Sequence, residues 1–313
     1  MRALRPFSAL AAIAALTLAG CAGGAGTQSA AQSGAASAPT SAASGDSAAS
    51  GDSAASGDSA ASGAAAPTGQ VEVLKVGASP SPHSKILRYV DDNLAAKVGL
   101  DLEIVDYTDY IQPNEALNDG SLDVNFFQTK PYLADQTKEK GYDFVPGEGV
   151  HLEPLAIYSE KVKNLKEFPE GGKIGIIADV TNQARALRLL ESQGFVKITN
   201  ANADNSDITI HTVEKLKKFE FIEVEGAQLV RSLADVDIAV INGNFAQEGG
   251  LSQAKDALAV ESTENNPAAN LLVWKKDTKK AAAIAKLEEL LHSPEVKKYI
   301  TDTWTDGSVV PTF

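Results

Sequence analysis

The first 70 residues cannot contribute to a hydrophobic core, so any folded domain must lie within residues 71–313. Only one aromatic residue, Phe7, occurs there, although the chain has 2 Trp, 7 Tyr and 10 Phe. The hexapeptide SGDSAA is repeated three times in succession from Ser44 to Ala61. Solenoid repeats have about 20–50 residues with an apolar face in each unit, and this short polar repeat cannot offset its ordering entropy. We expect residues 21–70 to form a disordered tether.

The N-terminus has the layout of a bacterial export signal. Arg2 and Arg5 precede an apolar stretch at 9–19, which is shorter than a membrane-spanning helix. The stretch ends in LAGC, whose Cys21 is the only cysteine of the chain, and it resembles the lipobox of bacterial lipoproteins. The resemblance implies that residues 1–20 are a lipoprotein signal peptide. It also implies that Cys21 carries acyl chains such as palmitate, which hold the protein at the extracytoplasmic face of the cell membrane. A chance cysteine after an ordinary signal is the alternative.

The composition excludes several classes of function. A single cysteine rules out an intramolecular disulfide framework and Cys-rich metal centres. The net charge of −13 argues against nucleic acid as a partner. No P-loop, G-x-S-x-G or H-E-x-x-H motif occurs, and no G-x-G-x-x-G follows a predicted strand. His83, His151, His211 and His292 are scattered, with no two at the spacing of a metal-binding pair. We therefore expect no metal, no cofactor and no catalytic residues, so the protein is not expected to be an enzyme.

Residues 71–313 alternate between runs typical of strands and runs typical of helices. The strand-like run at 73–78 is followed by apolar residues at helical spacing up to Gly99, and then by an alternating strand at 100–104. A similar order begins again after Gly172. This alternation indicates an α/β fold with mostly parallel sheets. Two such blocks predict two lobes, and a cleft between lobes is a natural site for a small molecule.

Several long stretches of this region resemble one family in their order and spacing. The matching stretches are TDYIQPNEALNDGSLDVNFFQTKPYL at 108–133, HLEPLAIYS at 151–159, DVTNQARALRLLE at 179–191, LADVDIAVINGNFAQEGGL at 233–251 and NPAANLLV at 266–273, together with HSPEVKKYI and the terminal VVPTF. They resemble the NlpA-type methionine-binding lipoproteins, the solute receptors of bacterial methionine ABC importers.

The resemblance implies a type II periplasmic-binding-protein fold, with two α/β lobes whose mixed, mostly parallel sheets are joined by two crossover strands. Lobe 1 is expected at 71–156 plus 262–313 and lobe 2 at 157–261. The hinge for lobe closure is expected near 154–158 and 259–270.

The resemblance also implies a function. The expected protein binds L-methionine or a close analogue and delivers it to the permease and ATPase subunits of an ABC importer, and we expect it to be a monomer. Two alternatives stay open. One is a receptor for a different small amino acid, a D-amino acid or a short peptide. The other is a surface lipoprotein adhesin with no role in transport.

Three polar residues are candidates for binding the carboxylate and the ammonium of an amino acid. Arg185 is expected in the first turn of a helix that follows a strand, and a guanidinium binds a carboxylate through two directed hydrogen bonds. Asn182 can assist through its amide. Asn242 ends the buried run IAVI and can accept a hydrogen bond from an ammonium. A surface ion pair for Arg185 and a turn at Asn242-Gly243 are the alternatives.

Aromatic residues are candidates for the side-chain pocket. Tyr110, Phe127 and Tyr132 fall at family positions that line the thioether pocket, and aromatic edges make favourable contacts with sulfur. Neighbouring strand residues face opposite ways. We therefore expect Phe126 to pack in the core while Phe127 faces the cleft.

Three positions depart from the pattern of the family. Thr129 stands where the family commonly has His, and Ala268 where it often has Tyr; both smaller groups leave room for a larger or different ligand. Glu153 stands where some members have Tyr. Glu153 can pair with the ammonium of the ligand, or it can be an ordinary residue of a crossover strand.

Overall fold

The computed structural model describes residues 71–200 and 205–313 of the chain. The predicted signal peptide at 1–20, the predicted acylation site Cys21 and the predicted tether at 21–70 lie outside the described residues. Within the described ranges, every helix is too short or too polar to span a lipid bilayer.

The first part of the described chain alternates between strands and helices as predicted. The helix predicted to reach Gly99 ends at Asn93, and a short 3-10 helix covers Ala95–Val98. Gly99 then ends this segment with φ of 72°, in the left-handed region that favours glycine. The elements in chain order are β1 (Glu72–Ala78), α1 (His83–Asn93), β2 (Leu100–Asp106), α2 (Gln112–Asp119), β3 (Val124–Thr129), α3 (Lys130–Lys140), β4 (Phe144–Leu152) and β5 (Ala156–Tyr158).

The second part repeats this alternation and ends with two helices. Helix α4 begins at Val180 because Asp179 caps it, its carboxylate accepting the backbone N–H of Asn182 at 2.9 Å. The elements are β6 (Gly172–Ile177), α4 (Val180–Ser192), β7 (Val196–Ile198), β8 (Val213–Lys215), β9 (Phe219–Val224), α5 (Leu229–Ser232), β10 (Ile238–Ile241), α6 (Gly243–Glu248), α7 (Gln253–Asp256), β11 (Ala259–Val260), β12 (Ala269–Lys275), α8 (Ala281–Leu291), α9 (Pro294–Thr303) and β13 (Val310–Pro311).

The strands form two mixed sheets, each of which defines a lobe. The sheet of lobe 1 has the order β13-β4-β12-β3-β1-β2, and the sheet of lobe 2 has the order β11-β5-β10-β6-β9. In lobe 1, β1 pairs with β2 over its full length, from Glu72 opposite Leu100 to Ala78 opposite Asp106. Strands β7 and β8 form a separate antiparallel pair.

The sheets are mixed as predicted, but they are not mostly parallel. Parallel pairing is confined to β2-β1-β3 in lobe 1 and to β9-β6-β10 in lobe 2. The other neighbouring pairs of both sheets are antiparallel. The physical reason is the route of the chain. A strand such as β12, which returns from lobe 2, enters the sheet of lobe 1 in the opposite direction to β3 and β4 and pairs with both.

The chain passes between the two sheets twice, which agrees with the two expected crossover strands. The connections are the short segments 153–155 and 261–268. They run side by side, because the backbone N–H of Glu261 donates to the carbonyl of Leu155 at 2.8 Å and the N–H of Leu155 donates to Glu261 Oε2 at 3.0 Å. The lobe boundaries and the hinge remain predictions.

Each sheet has an apolar cluster on both faces, as layered α/β packing requires. In β12, Leu272 belongs to the cluster beneath α1, α8 and α9, whereas Leu271 and Val273 belong to the cluster beneath α2 and α3. The alternation follows from the two-residue period of a strand. Phe126 likewise lies fully buried in the first of these clusters, as predicted.

The parallel strands place the polar residues at one edge of each sheet. In lobe 1, Thr129 ends β3 and precedes α3. In lobe 2, Asp179 lies between β6 and α4, and Asn242 lies between β10 and α6. Crevices beyond the carboxyl ends of parallel strands are the usual ligand sites of α/β proteins.

The packing of lobe 1 predicts a large cost for truncating Leu74, which is fully buried on β1. Leu74→Ala should lower the free energy of unfolding by about 2–5 kcal/mol, because the lost contacts leave a cavity. Leu216→Ala is the matched control, since Leu216 is 51% exposed, and it should change the free energy by less than about 0.5 kcal/mol. Urea denaturation of the full chain, followed by circular dichroism, measures both. Equal destabilisation by the two variants would contradict this assignment of the core.

Candidate functional site

A small cavity lies between the two lobes. Lobe 1 and lobe 2 both contribute to its lining, and Glu153 joins it from the first crossover connection. The structure brings all eight predicted ligand-binding residues to this one cavity; their contact with a ligand remains a prediction. They are Tyr110, Phe127, Thr129, Tyr132, Glu153, Asn182, Arg185 and Asn242.

Arg185 is buried and held by a carboxylate of the second crossover connection. Its Nε donates to Glu261 Oε1 at 3.1 Å, and its Nη2 donates to Glu261 Oε2 at 2.7 Å. Nη2 also donates to the carbonyl of Glu153 at 3.2 Å, and Nη1 donates to Asn182 Oδ1 at 3.1 Å. Arg185 is the sixth residue of α4 and so lies in its second turn rather than in the first turn as predicted.

One N–H of the Arg185 guanidinium is left for a ligand. A guanidinium carries five N–H groups, and the hydrogen bonds above use four of them. The remaining N–H is on Nη1 and has no partner among the described residues, while the guanidinium lines the cavity. The group therefore presents a fixed, charged donor to the cavity.

The amides of Asn182 and Asn242 are linked in a fixed orientation. Asn182 Nδ2 donates to the carboxylate of Asp179, and Asn182 Oδ1 accepts from both Arg185 and Asn242 Nδ2, the latter at 3.0 Å. The side-chain oxygen Oδ1 of Asn242 has no donor within the described part of the chain. This oxygen can accept a hydrogen bond from an ammonium. Burial raises the pKa of Asp179 to about 6, and the hydrogen bonds from Asn182 oppose that shift.

Glu153 is surrounded by two histidines and an amide. Its Oε1 lies 2.9 Å from His151 Nε2, 3.2 Å from Asn270 Nδ2 and 3.4 Å from His83 Nε2. Burial raises the pKa of Glu153 to about 7, and the neighbouring His83 and Arg185 oppose that rise. Gly243 permits this close packing, because a Cβ at that position would lie 2.8 Å from the Cβ of Glu153.

The two histidines are buried and uncharged at neutral pH. Burial lowers the pKa of His83 to about 4 and that of His151 to about 3. Their ring centroids are 4.8 Å apart, although the two residues are 68 positions apart in the sequence. The spacing of the histidines gave no sign of this pair, because β4 and the start of α1 meet only in the folded protein.

Aromatic residues of lobe 1 form the opposite wall of the cavity. Tyr110 lies 5.9 Å from Phe127 and 5.7 Å from Tyr132 between ring centroids. The hydroxyl of Tyr110 donates to Asn244 Oδ1 of lobe 2 at 2.6 Å, so this ring also links the lobes. The hydroxyl of Tyr132 donates to the carbonyl of Tyr110 at 2.9 Å. Phe127 faces the cavity while Phe126 is in the core, which confirms the predicted division.

Thr129 and Ala268 occupy different surroundings. Thr129 lines the cavity and caps α3, its hydroxyl accepting the N–H of Tyr132 at 3.4 Å. Ala268 is buried but does not line this cavity. It lies instead on a neighbouring groove beyond Arg185 and Glu261. Ala268 therefore lies outside the lining of this cavity, and its effect on ligand size remains a prediction.

Sequence reasoning missed several residues of the site. Glu261 carries no signal in the sequence, since it is one acid in a polar segment and meets Arg185 only through the crossover. Gly243 and Asn244 directly follow Asn242. The predicted end of the strand at Ile241 could therefore have indicated that they also belong to the site. The other missed lining residues are His83, Gln128 and Asn270.

Comparison with known families identifies the chain. The model of the NlpA lipoprotein family matches residues 74–313. The chain belongs to the NlpA lipoprotein family. A curated relative of this family, the D-methionine-binding lipoprotein MetQ of Escherichia coli K12, is 36% identical over 238 residues, which cover 75% of this chain and 87% of the relative.

Solved structures of similar proteins extend the family match to the fold. A crystal structure from Actinomyces odontolyticus is 62% identical with a TM-score of 0.75, covering 78% of this chain and 100% of that one. A nutrient-binding protein from Burkholderia cenocepacia, bound to methionine, is 39% identical with a TM-score of 0.72. The match covers 77% of this chain and 100% of that one. A periplasmic substrate-binding protein of an ABC transporter from Coxiella burnetii is 36% identical with a TM-score of 0.70. The match covers 76% of this chain and 100% of that one. This NlpA-family chain therefore has the two-lobed, type II binding-protein fold.

The buried ion pair predicts a cost for neutralising Glu261. In Glu261→Gln the guanidinium of Arg185 loses its compensating charge, and removing one partner of this largely buried pair should cost up to about 3 kcal/mol. Glu264→Gln is the matched control, because Glu264 is exposed on the same connection. Thermal and urea unfolding of the full chain should show a large loss for the first variant and almost none for the second. Equal stability of the two variants would contradict a structural role for this pair.

Proposed function

We propose that this protein is a solute receptor that binds L-methionine or a close analogue and delivers it to an ABC importer. The observation that supports the proposal most directly is the inter-lobe cavity, which combines a fixed guanidinium N–H from lobe 2 with aromatic rings from lobe 1. The Escherichia coli relative that carries methionine in its name and the methionine-bound Burkholderia protein give independent support.

The polar wall of the cavity suits the charged end of an amino acid. The free N–H of Arg185 can bind the carboxylate, and charge-assisted hydrogen bonds of this kind are among the strongest that proteins make. The side-chain oxygen of Asn242 and the carboxylate of Glu153 can accept hydrogen bonds from the ammonium. Because Asn182 fixes both Arg185 and Asn242 through one oxygen, little ordering remains to be done when the solute binds.

The aromatic wall suits an apolar, sulfur-containing side chain. Thioether sulfur makes favourable contacts with aromatic edges, worth about 0.3–1.5 kcal/mol each. Tyr110, Phe127 and Tyr132 present such edges to the cavity. Thr129 adds one small hydroxyl to the lining.

Hydrogen bonds across the cleft support a closed arrangement of the lobes around the solute. Besides the bond between Tyr110 and Asn244, Gln247 of α6 accepts from Ser81 Oγ and from Trp304 Nε1 of lobe 1, both at 2.9 Å. Helix α6 begins directly after Asn242. Closure of the cleft through the two crossover connections therefore belongs to the proposed transport cycle, in which no bond of the solute is broken.

The proposed location and partners follow from the family. We infer that Cys21 is acylated and holds the receptor at the extracytoplasmic face of the membrane, with residues 22–70 as a tether. The monomeric receptor would then dock on the permease, whose ATPase subunits power import. A receptor for a D-amino acid or a short peptide is the competing proposal within this class, and the name of the Escherichia coli relative makes D-methionine the first such solute to test.

The proposal predicts that affinity depends on Arg185. Arg185→Ala should weaken binding of L-methionine to the full chain by about 100-fold, because the variant loses a charge-assisted hydrogen bond to the carboxylate. Arg188→Ala, three residues later on the exposed part of α4, should bind as the unaltered protein does. Isothermal titration calorimetry with L-methionine and D-methionine measures both the effect and the stereochemical preference.

Two outcomes would count against the proposal. If neither enantiomer of methionine binds the unaltered protein, the solute is a different one or the protein is an adhesin. If Arg185→Ala binds methionine unchanged while remaining folded by circular dichroism, the carboxylate is held elsewhere.

A further inference from the structure

Three buried side chains of lobe 1 and its crossover connection bring potential metal-ligand atoms close together. His83, His151 and Glu153 each offer a nitrogen or oxygen, and these atoms lie within 4.8 Å of one another. His83 and His151 are at most 1% exposed and Glu153 is 6% exposed. Nδ1 of His151 has no hydrogen-bond partner among the described residues, and the ring of His83 makes no well-formed hydrogen bond there beyond the 3.4 Å approach of its Nε2 to Glu153. Buried polar atoms are nearly always paired, so this cluster calls for a partner of its own.

We propose that His83, His151 and Glu153 form a binding site for a divalent transition-metal ion such as Zn²⁺. Two imidazoles and one carboxylate are a common set of three protein ligands for an open zinc site. The inference does not rest on the proposed transport of methionine, because it needs only the side chains of this chain.

The distances suit such an ion. Tetrahedral zinc with bonds of about 2.0–2.1 Å holds its ligand atoms ~3.3 Å apart. Oε1 of Glu153 lies 2.9 Å from Nε2 of His151 and 3.4 Å from Nε2 of His83. Small side-chain rotations therefore place one ion within reach of all three atoms.

The surroundings hold these ligands in place. The ring of Phe126 contacts both histidines edge-on, with centroids 4.8 Å from His83 and 5.3 Å from His151. Asn270 Nδ2 donates to the same carboxylate oxygen of Glu153 at 3.2 Å. Such outer contacts orient metal ligands.

The fourth coordination position faces the cavity. His83 and Glu153 line the cavity, whereas His151 lies behind them. A water molecule or a donor atom of a bound solute can therefore complete the coordination. Donors of this kind suit zinc, cobalt and nickel better than calcium or magnesium.

The test measures metal binding to the full chain with Cys21→Ser in every variant and without a polyhistidine tag, so that neither a thiol nor a tag contributes ligands. After removal of metals with a chelator, Zn²⁺ is titrated by calorimetry, and Co²⁺ is added for its absorption spectrum. The unaltered cluster should bind one Zn²⁺ per chain and give the intense bands of four-coordinate Co²⁺.

Two variants, His83→Gln and Glu153→Gln, should each weaken Zn²⁺ binding by about 100-fold and remove the Co²⁺ bands. The control is His211→Gln, which changes an exposed histidine and should leave both the Zn²⁺ affinity and the Co²⁺ bands unchanged. Circular dichroism establishes that each variant is folded. The absence of a stoichiometric Zn²⁺ site in the unaltered cluster would overturn the proposal, as would unchanged Zn²⁺ binding by the folded His83→Gln variant. Methionine affinity of the metal-free protein is measured separately, so a failure of the proposed transport function is distinguishable from a failure of the metal site.

Discussion

The ion pair between Arg185 and Glu261 is the interaction on which the site depends. A buried guanidinium needs a compensating charge, and here that charge is on the crossover connection rather than in lobe 2 itself. The pair therefore ties α4 to the segment through which the lobes are joined. It also fixes the plane of the guanidinium, so that its remaining N–H is presented to the cavity in one orientation.

The polar residues around this pair form a chain of hydrogen bonds in which each member fixes the next. Asp179 caps α4 and orients Asn182, whose oxygen then holds both Arg185 and Asn242. Low local dielectric strengthens such a network when it is satisfied. Around this network, one N–H of Arg185 and Nδ1 of His151 have no partner among the described residues, and a zwitterionic solute or a metal ion can use such atoms.

The predictable part of the fold follows from local sequence patterns. The strands at β1 and β10 are short apolar runs that the sequence analysis identified. Strand β4 had no such signal, because Pro146, Gly147 and Gly149 interrupt its pattern. It forms nevertheless because its register with β12 shifts at irregular positions that accommodate these residues. The antiparallel pairs were missed because the return of the chain from lobe 2 is a long-range event.

The candidate site likewise has some residues that the sequence predicted and others that it did not. Local patterns placed Asn182 and Asn242 at a helix start and a strand end, and the family resemblance selected them and Arg185 and added Tyr110, Phe127 and Tyr132. Glu261 could not be predicted, nor could the approach of His83 to His151, because each depends on contacts between distant elements. Such contacts are set by sheet order, which no local pattern in this chain encodes.

The most direct measurement of the central claim compares the affinities of the full chain for L-methionine and for L-methionine methyl ester by isothermal titration calorimetry. The ester keeps the ammonium and the thioether but removes the negative charge that the free N–H of Arg185 is proposed to bind. The account predicts that the ester binds at least 100-fold more weakly, since a charge-assisted hydrogen bond is replaced by a neutral contact. Equal affinity for the two compounds would contradict it.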